Sequence, residues 1–172
     1  MVQVGQQAPD FEAEAVVDQQ FVNVELTDYR GKWVVLFFWP LDFTFVCPTE
    51  VIGFSKRLDE FKELGAEVLG ASIDSKFTHL AWKEKIGEVR YPMLSDITKQ
   101  ISQDYGVLRE QEGIALRGLF VIDPEGVLRY QVVHELSIGR NVAEVLRVIK
   151  ALQTGELCPI DWEEGMETLG KA

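Results

Sequence analysis

"GKWVVLFFWPLDFTFVCPTE", Gly31 to Glu50, runs from a turn through a block of apolar residues to Cys47, one of only two cysteines in the chain. A continuous apolar run after a turn reads as a strand buried on both faces, and such strands lie centrally in a sheet. Pro48 is acceptable only near a helix start, where its missing N–H costs nothing, so a helix is expected to begin between Thr44 and Pro48. "EVIGFSKRLDEFKEL" then runs at helical spacing through Val51, Phe54, Leu58 and Phe61, and Gly65 ends it. A lone cysteine after a core strand is most often a buried, inert one. In the first turn of a helix, however, unpaired N–H groups and the positive end of the dipole favour an anion, so the position of Cys47 argues for reactivity.

Working outward, "AEVLGASID" is a second buried strand and "FTHLAWKEKIG" a helix. The short strand "YPML" and the amphipathic "DITKQISQDYG" follow. "RGLFVID" and "VLRYQVVHE", joined by "PEG", read as a hairpin. "NVAEVLRVIKALQ" places Val142, Val145, Leu146 and Ile149 on one face, the pattern of a helix that covers a sheet. Parallel βαβ units closed by a hairpin and a helix predict a thioredoxin-like α/β fold: a central mixed β-sheet flanked by helices, rather than a fully parallel doubly wound one. No repeat or linker interrupts the chain, so residues 1–172 are expected to form a single domain with 154–172 as a tail carrying Cys158.

The 172 residues are 47% hydrophobic, enough for a substantial core. With 17 basic and 28 acidic residues the net charge is −11 and no Lys/Arg cluster is present, which argues against nucleic acid as a partner. The start lacks a basic and an apolar leader region, and no stretch has the length of a bilayer span. A soluble, unexported, cytoplasmic protein with no membrane partner is therefore expected. Two distant cysteines do not make a secreted disulfide framework, and in a reducing compartment a catalytic or redox use fits them better.

Ionisation alone does not make a thiol fast. At pH 7 a thiol of pKa ~8.5 is roughly 3% ionised, so full ionisation gains about 30-fold. Lowering the pKa by about 3 lowers intrinsic nucleophilicity by about 20-fold. The two nearly cancel, so a fast thiol enzyme needs hydroxyls or a guanidinium that hold the substrate and stabilise charge in the transition state.

"PLDFTFVCPTE" resembles the active-site signature of the peroxiredoxins, PxxxTxxC, with Pro40, Thr44 and Cys47 at its defining positions. The likeness runs through "GASIDSKFTHLAWK", "ISQDYGVL", "ALRGLFVIDPEGVLR", "IGRNVAEVLR" and "GELCP", and is to the typical two-cysteine group that includes the thioredoxin peroxidases and the peroxidase component of alkyl hydroperoxide reductase. The resemblance implies an antioxidant thiol peroxidase acting on hydrogen peroxide and organic hydroperoxides, with no metal, haem or flavin. It makes Cys47 the peroxidatic nucleophile, Thr44 a hydrogen-bonding partner of peroxide and thiolate, and Pro40 a shield against water. Arg117 matches the family's active-site arginine, although on sequence alone it is a surface base at a strand start. The fixed fork of an arginine suits holding thiolate and peroxide together better than a lysine would. Glu50, otherwise an ordinary first-turn acid, and Arg140 are implied to support that arginine. Cys158, otherwise a small residue in a tail, matches the resolving cysteine, which in the family comes from the partner subunit of a homodimer. The Cys47 turn and the Cys158 tail would then unfold locally to meet. Phe77 and Thr78 align with the contact that assembles five dimers into a decamer. A thioredoxin or a dedicated flavoprotein reductase is the implied reductant.

Two departures from the family's eukaryotic pattern predict resistance to overoxidation: "KIGEVRYPMLSD" lacks a Gly-Gly-Leu-Gly insertion, and "METLGKA" carries no Tyr-Phe helix. Among rivals, a general disulfide oxidoreductase wants C-x-x-C where this chain has Cys47-Pro48-Thr49-Glu50. A holdase or structural ring would leave the cysteines incidental. A cysteine protease would need a histidine partner, and neither His79 nor His134 carries a recognisable pairing signature. His79 and Trp82, one turn apart, suit packing or a partner surface rather than a metal. His134 has no ligand at metal spacing, and Asp42 suits either a helix cap or acid–base work.

Overall fold

The structure is a computed structural model and describes residues 2–172. It opens with an element the sequence pattern did not signal, a hairpin of β1 (Glu12–Val17) and β2 (Gln20–Glu25) turned at Asp18, whose φ is 54°. Aspartate is among the few residues that tolerate this left-handed geometry, because its short side chain satisfies backbone groups locally. Strand β3 (Trp33–Phe38) follows, and all of it except Trp33 is buried, as a continuous apolar run requires.

The expected long helix is two. α1 (Cys47–Lys56) and α2 (Leu58–Glu63) break at Arg57, although no Gly or Pro stands there. A tertiary contact accounts for the break. The Ser55 hydroxyl donates to the Glu88 carbonyl and accepts from the Arg90 N–H, while Arg90 Nη2 donates to the Ser55 carbonyl. β4 (Ala66–Ser72), α3 (Lys76–Ile86) and β5 (Met93–Ser95) complete the parallel units. The amphipathic segment yields only the short α4 (Gln100–Asp104), followed by a hairpin of two-residue strands, β6 (Leu108–Arg109) and β7 (Ile114–Ala115). β8 (Arg117–Ile122) and β9 (Leu128–His134) form the predicted hairpin.

The main sheet runs β2-β1-β5-β4-β3-β8-β9. β3 pairs in parallel with β4, Val35 opposite Val68, and antiparallel with β8, Val35 opposite Val121. The mixed, helix-flanked sheet is the thioredoxin-like fold expected from the sequence. Close packing leaves no room at Gly70, where an added Cβ would lie 2.7 Å from the Trp39 ring. The end of β3 therefore delivers the chain to the Pro40–Val46 loop against a tightly packed aromatic floor.

The contacts divide the chain into a unit ending at Arg140 and a second unit, Asn141–Ala172. The second is built on α5 (Val142–Thr154), capped by Asn141 Oδ1 accepting from Glu144 N at 3.2 Å and closed by Gly155 at φ 64°. Its tail folds back on itself: Leu157 N donates to the Gly170 carbonyl and Leu169 N to the Leu157 carbonyl.

Candidate active site

Cys47 is the first residue of α1 and is fully buried. The turn it sits in is closed at the Val46 carbonyl, which accepts from Thr49 N at 3.1 Å and from Thr49 Oγ1 at 2.6 Å, but it has no side-chain cap. Val46 in the cap position supplies no side-chain acceptor, Pro48 has no N–H, and Glu50 N reaches the Val46 carbonyl only at 3.4 Å. The loop before it carries a bulky residue with positive φ, Phe43 at 58°, a strained geometry for an aromatic residue. Pro40 is buried at the start of that loop.

Two donors converge on the sulfur. Thr44 Oγ1 lies 2.9 Å from Cys47 Sγ and also 2.9 Å from the Leu41 carbonyl oxygen. Arg117 Nη1 lies 3.4 Å from Sγ. Arg117 is buried, against the surface position that sequence alone suggested, because β8 carries it under α1 and its charge is answered there. Nη1 donates to Glu50 Oε2 at 2.6 Å and Nε to the Leu136 carbonyl at 2.8 Å. Nη2 has no acceptor among the described residues and is left free to donate.

Glu50 is the hub. Its Oε1 accepts from the Arg140 backbone N and Nε, both at 2.8 Å, and its Oε2 from Arg140 Nη2 at 3.0 Å. Arg140 also donates to the Gly118 carbonyl and stacks over the Phe37 ring at 5.2 Å. Burial pushes the Glu50 carboxyl up, but the hydrogen bonds and charge of Arg140 and the charge of Arg117 outweigh it and hold the group below the usual range. Burial likewise pulls Arg140 down, opposed by Glu50. Two guanidiniums facing one carboxylate leave a unit of positive charge uncompensated beside Sγ, a place that suits an anion.

Other expected positions are arranged differently. Asp42 does not cap α1: its carboxylate lies buried between Trp39 Nε1 and His79 Nδ1. His79 is a packed core residue, with Trp82 buried beside it. Phe77 is exposed and meets Phe21 edge to face at 5.2 Å, with the Lys76 ammonium over both rings, while Thr78 is half-buried and bonded to Ser75. His134 is half-buried, and its Nδ1 has no partner among the described residues. Cys158, in the second unit, is half-buried, with Thr154 Oγ1 at 3.6 Å and the Ala151 and Glu156 carbonyls at 3.8 Å. Both cysteines are free thiols. Among the described residues no group of His, Cys, Asp and Glu is arranged to hold a metal, and no helix is long and apolar enough to cross a membrane.

The model of the AhpC/TSA family matches residues 4–131. Peroxiredoxin-2 of Mus musculus is 55% identical over 177 residues, covering 97% of this chain and 89% of its own. The mitochondrial thioredoxin-dependent peroxide reductase of Drosophila melanogaster is 55% identical over 94% of this chain and 73% of its own. The reduced 2-Cys peroxiredoxin of Plasmodium vivax superposes with a TM-score of 0.95 at 47% identity, covering 98% of this chain and 93% of that one. The chain belongs to the AhpC/TSA family of peroxiredoxins. It is accordingly a peroxidase, an oxidoreductase, on the thioredoxin-like fold.

Sequence reasoning passed over two features of this peroxiredoxin's site. Tyr91, fully buried, donates its hydroxyl to the Val51 carbonyl in α1 at 2.7 Å, and burial raises its pKa well above that of a free phenol. The Asp42–His79 pair joins positions 37 residues apart, for which no local pattern exists.

Proposed function

We propose that Cys47 is the peroxidatic nucleophile of a two-cysteine cycle that reduces hydrogen peroxide and alkyl hydroperoxides in antioxidant defence. The observation that carries this reading is the convergence of Thr44 and Arg117 on a fully buried sulfur, with Glu50 and Arg140 holding the guanidinium in place.

The hydroxyl of Thr44 has one proton and two acceptors within reach. Against a thiol it donates to the Leu41 carbonyl and accepts from S–H; against a thiolate it turns to donate to sulfur. When a peroxide enters, its terminal oxygen takes the place in front of Sγ, where Thr44 and the free Nη2 of Arg117 serve as donors. The thiolate attacks that oxygen, an S–O bond forms as the O–O bond breaks, and the electron pair leaves with the departing oxygen. The leaving group takes up one proton, balancing the one the thiol released, and departs as water or alcohol. Sulfur is oxidised by two electrons to a sulfenic acid. Donors placed where charge develops supply the acceleration that ionisation alone does not. Pro40 keeps bulk water from the sulfur.

Cys158 of the partner subunit then attacks the sulfenic sulfur, forming the disulfide and releasing water. The absence of a side-chain cap on α1 and the long contacts of Cys158 support local unfolding of both as the route to contact. A thioredoxin-like or flavoprotein dithiol reduces the disulfide by exchange, in keeping with the name of the Drosophila relative. The exposed Phe77, with Thr78, is the proposed contact by which homodimers assemble into a decamer. The short loop after Gly87 supports resistance to overoxidation, and two widely spaced cysteines that form no secreted disulfide framework suit a cytoplasmic setting.

The test is stopped-flow consumption of hydrogen peroxide by the pre-reduced protein, followed by non-reducing electrophoresis. Fast consumption lost in Cys47→Ser but kept in Cys158→Ser, with the covalent dimer absent from both, is expected. Wild-type consumption no faster than a free thiol would overturn the reading.

A further inference from the structure

Asp42 stands two residues before Thr44, and every polar atom of its side chain is engaged away from the sulfur. Its Oδ1 accepts from Trp39 Nε1 at 2.8 Å, and its Oδ2 lies 2.6 Å from His79 Nδ1. Its backbone N donates to Asp74 Oδ2 at 2.9 Å. The His79 side chain is wholly buried, and its other nitrogen lies 2.9 Å from the Leu94 carbonyl oxygen. A carbonyl only accepts, so Nε2 carries a hydrogen and the tautomer is fixed. A single proton then lies on the line between Nδ1 and Oδ2, whichever atom holds it, and the pair is neutral as a whole. The third position, where a catalytic Asp–His couple would face a nucleophile, is filled by backbone. The pair is therefore a brace and not a base.

The brace sits where it matters for the chemistry. Thr44 Oγ1 is aimed at sulfur from the Pro40–Val46 loop and is also bonded there to the Leu41 carbonyl. The loop also contains the strained Phe43, so its conformation must be imposed by contacts on either side. We propose that the Asp42–His79 pair is a positioning device for Thr44: by tying the loop to α3 and β5 it fixes the hydroxyl relative to Cys47 and so sets the rate of the peroxide step. The proposal rests on the two-cysteine reading above.

The test measures the second-order rate of Cys47 oxidation by hydrogen peroxide in the pre-reduced full chain, with thermal unfolding of each variant in parallel. In His79→Asn the amide nitrogen takes the place of Nδ1 and keeps the bond to Asp42; in His79→Gln the amide reaches Leu94 and loses Asp42. His79→Gln is expected to slow the step by about tenfold or more, a part of what removing a transition-state donor costs. His79→Asn and Asp42→Asn, which keep the link in neutral form, should stay within about threefold of wild type. Because the effect acts through Thr44, His79→Gln should cost nothing further in a Thr44→Val background. If His79→Gln does not fold, Asp42→Ser carries the same comparison. Equal slowing with and without the Thr44 hydroxyl, or His79→Asn as slow as His79→Gln, overturns the proposal while leaving the peroxidase reading intact. A wild-type rate no faster than a free thiol overturns both.

Discussion

The two cysteines of this chain sit in opposite physical settings. Cys47 is wholly buried, with a hydroxyl at 2.9 Å and a guanidinium at 3.4 Å, behind which a carboxylate and a second guanidinium are fully paired. Cys158 is half-buried, and among the described residues its sulfur has contacts of 3.6–3.8 Å, longer than either donor's approach to Cys47 Sγ. The difference fits the two tasks proposed for them. A nucleophile that must beat a free thiol needs donors fixed before the substrate arrives, whereas a thiol that only has to reach a sulfenic acid needs freedom to travel.

The comparison is broken most severely by exchanging the sulfurs' fates. Cys47→Ser should lower the peroxide rate by at least about a thousandfold, the scale on which removal of a nucleophile disables an enzyme, while Cys158→Ser should leave the first step within about twofold. Stopped-flow traces of both variants decide it, and a first step slowed by Cys158→Ser would mean that the tail thiol contributes before resolution. Next in size is Arg117→Lys. A point charge on a flexible stem does not reproduce a fork that meets Glu50, Leu136 and Sγ together, so a loss of about 100-fold or more in the peroxide step is expected from kinetics at saturating reductant.

Glu50 sharpens the same contrast through stability. Its removal in Glu50→Ala leaves two buried guanidiniums facing each other and should cost about 3–5 kcal/mol in urea unfolding. The carboxyl is held below its ordinary value of 4.5, so its contribution is present in full above that pH and is lost as pH falls through the lower, folded value. Asp42 has the opposite sign: burial raises its pKa, so the folded state takes up that proton first and gains relative stability as pH falls toward the ordinary carboxylate range. Unfolding curves from pH 7 to 3 should show the gap between wild type and Glu50→Ala constant down to about pH 4.5 and shrinking below it. A gap that shrinks already between pH 7 and 6 would show that the Glu50 charge is not what holds the site.

Much of this was legible in the chain. The apolar period announced β3, β4 and the β8–β9 hairpin, and the Thr44–Cys47 motif announced the chemistry, because both are local patterns. The β1–β2 hairpin was not, since its alternation is built on small and acidic residues and its turn on an aspartate in place of Asn-Gly or Asp-Gly. The break at Arg57 was hidden because Ser55 yields to Arg90, a residue 35 positions away. Arg117 read as exposed because its compensating charge, Glu50, lies 67 positions upstream. Burial of a charge follows from its partner, and partners that distant leave no periodic trace.

The smallest expected effect tests the other side of the contrast. Thr154→Val removes the hydroxyl nearest to Cys158 Sγ and keeps the side chain's shape. That hydroxyl donates to the Ala151 carbonyl at 2.7 Å and accepts from Glu156 N at 3.1 Å, so its loss should cost α5 some local stability, about 1 kcal/mol. The 3.6 Å contact to sulfur should contribute nothing further. Resolution of the sulfenic acid, followed by the second phase of intrinsic fluorescence after mixing with peroxide, should therefore stay within about twofold of wild type. A tenfold slowing would mean that the C-terminal turn is as preorganised as the one around Cys47, and the division between a fixed thiol and a free one would have to be abandoned.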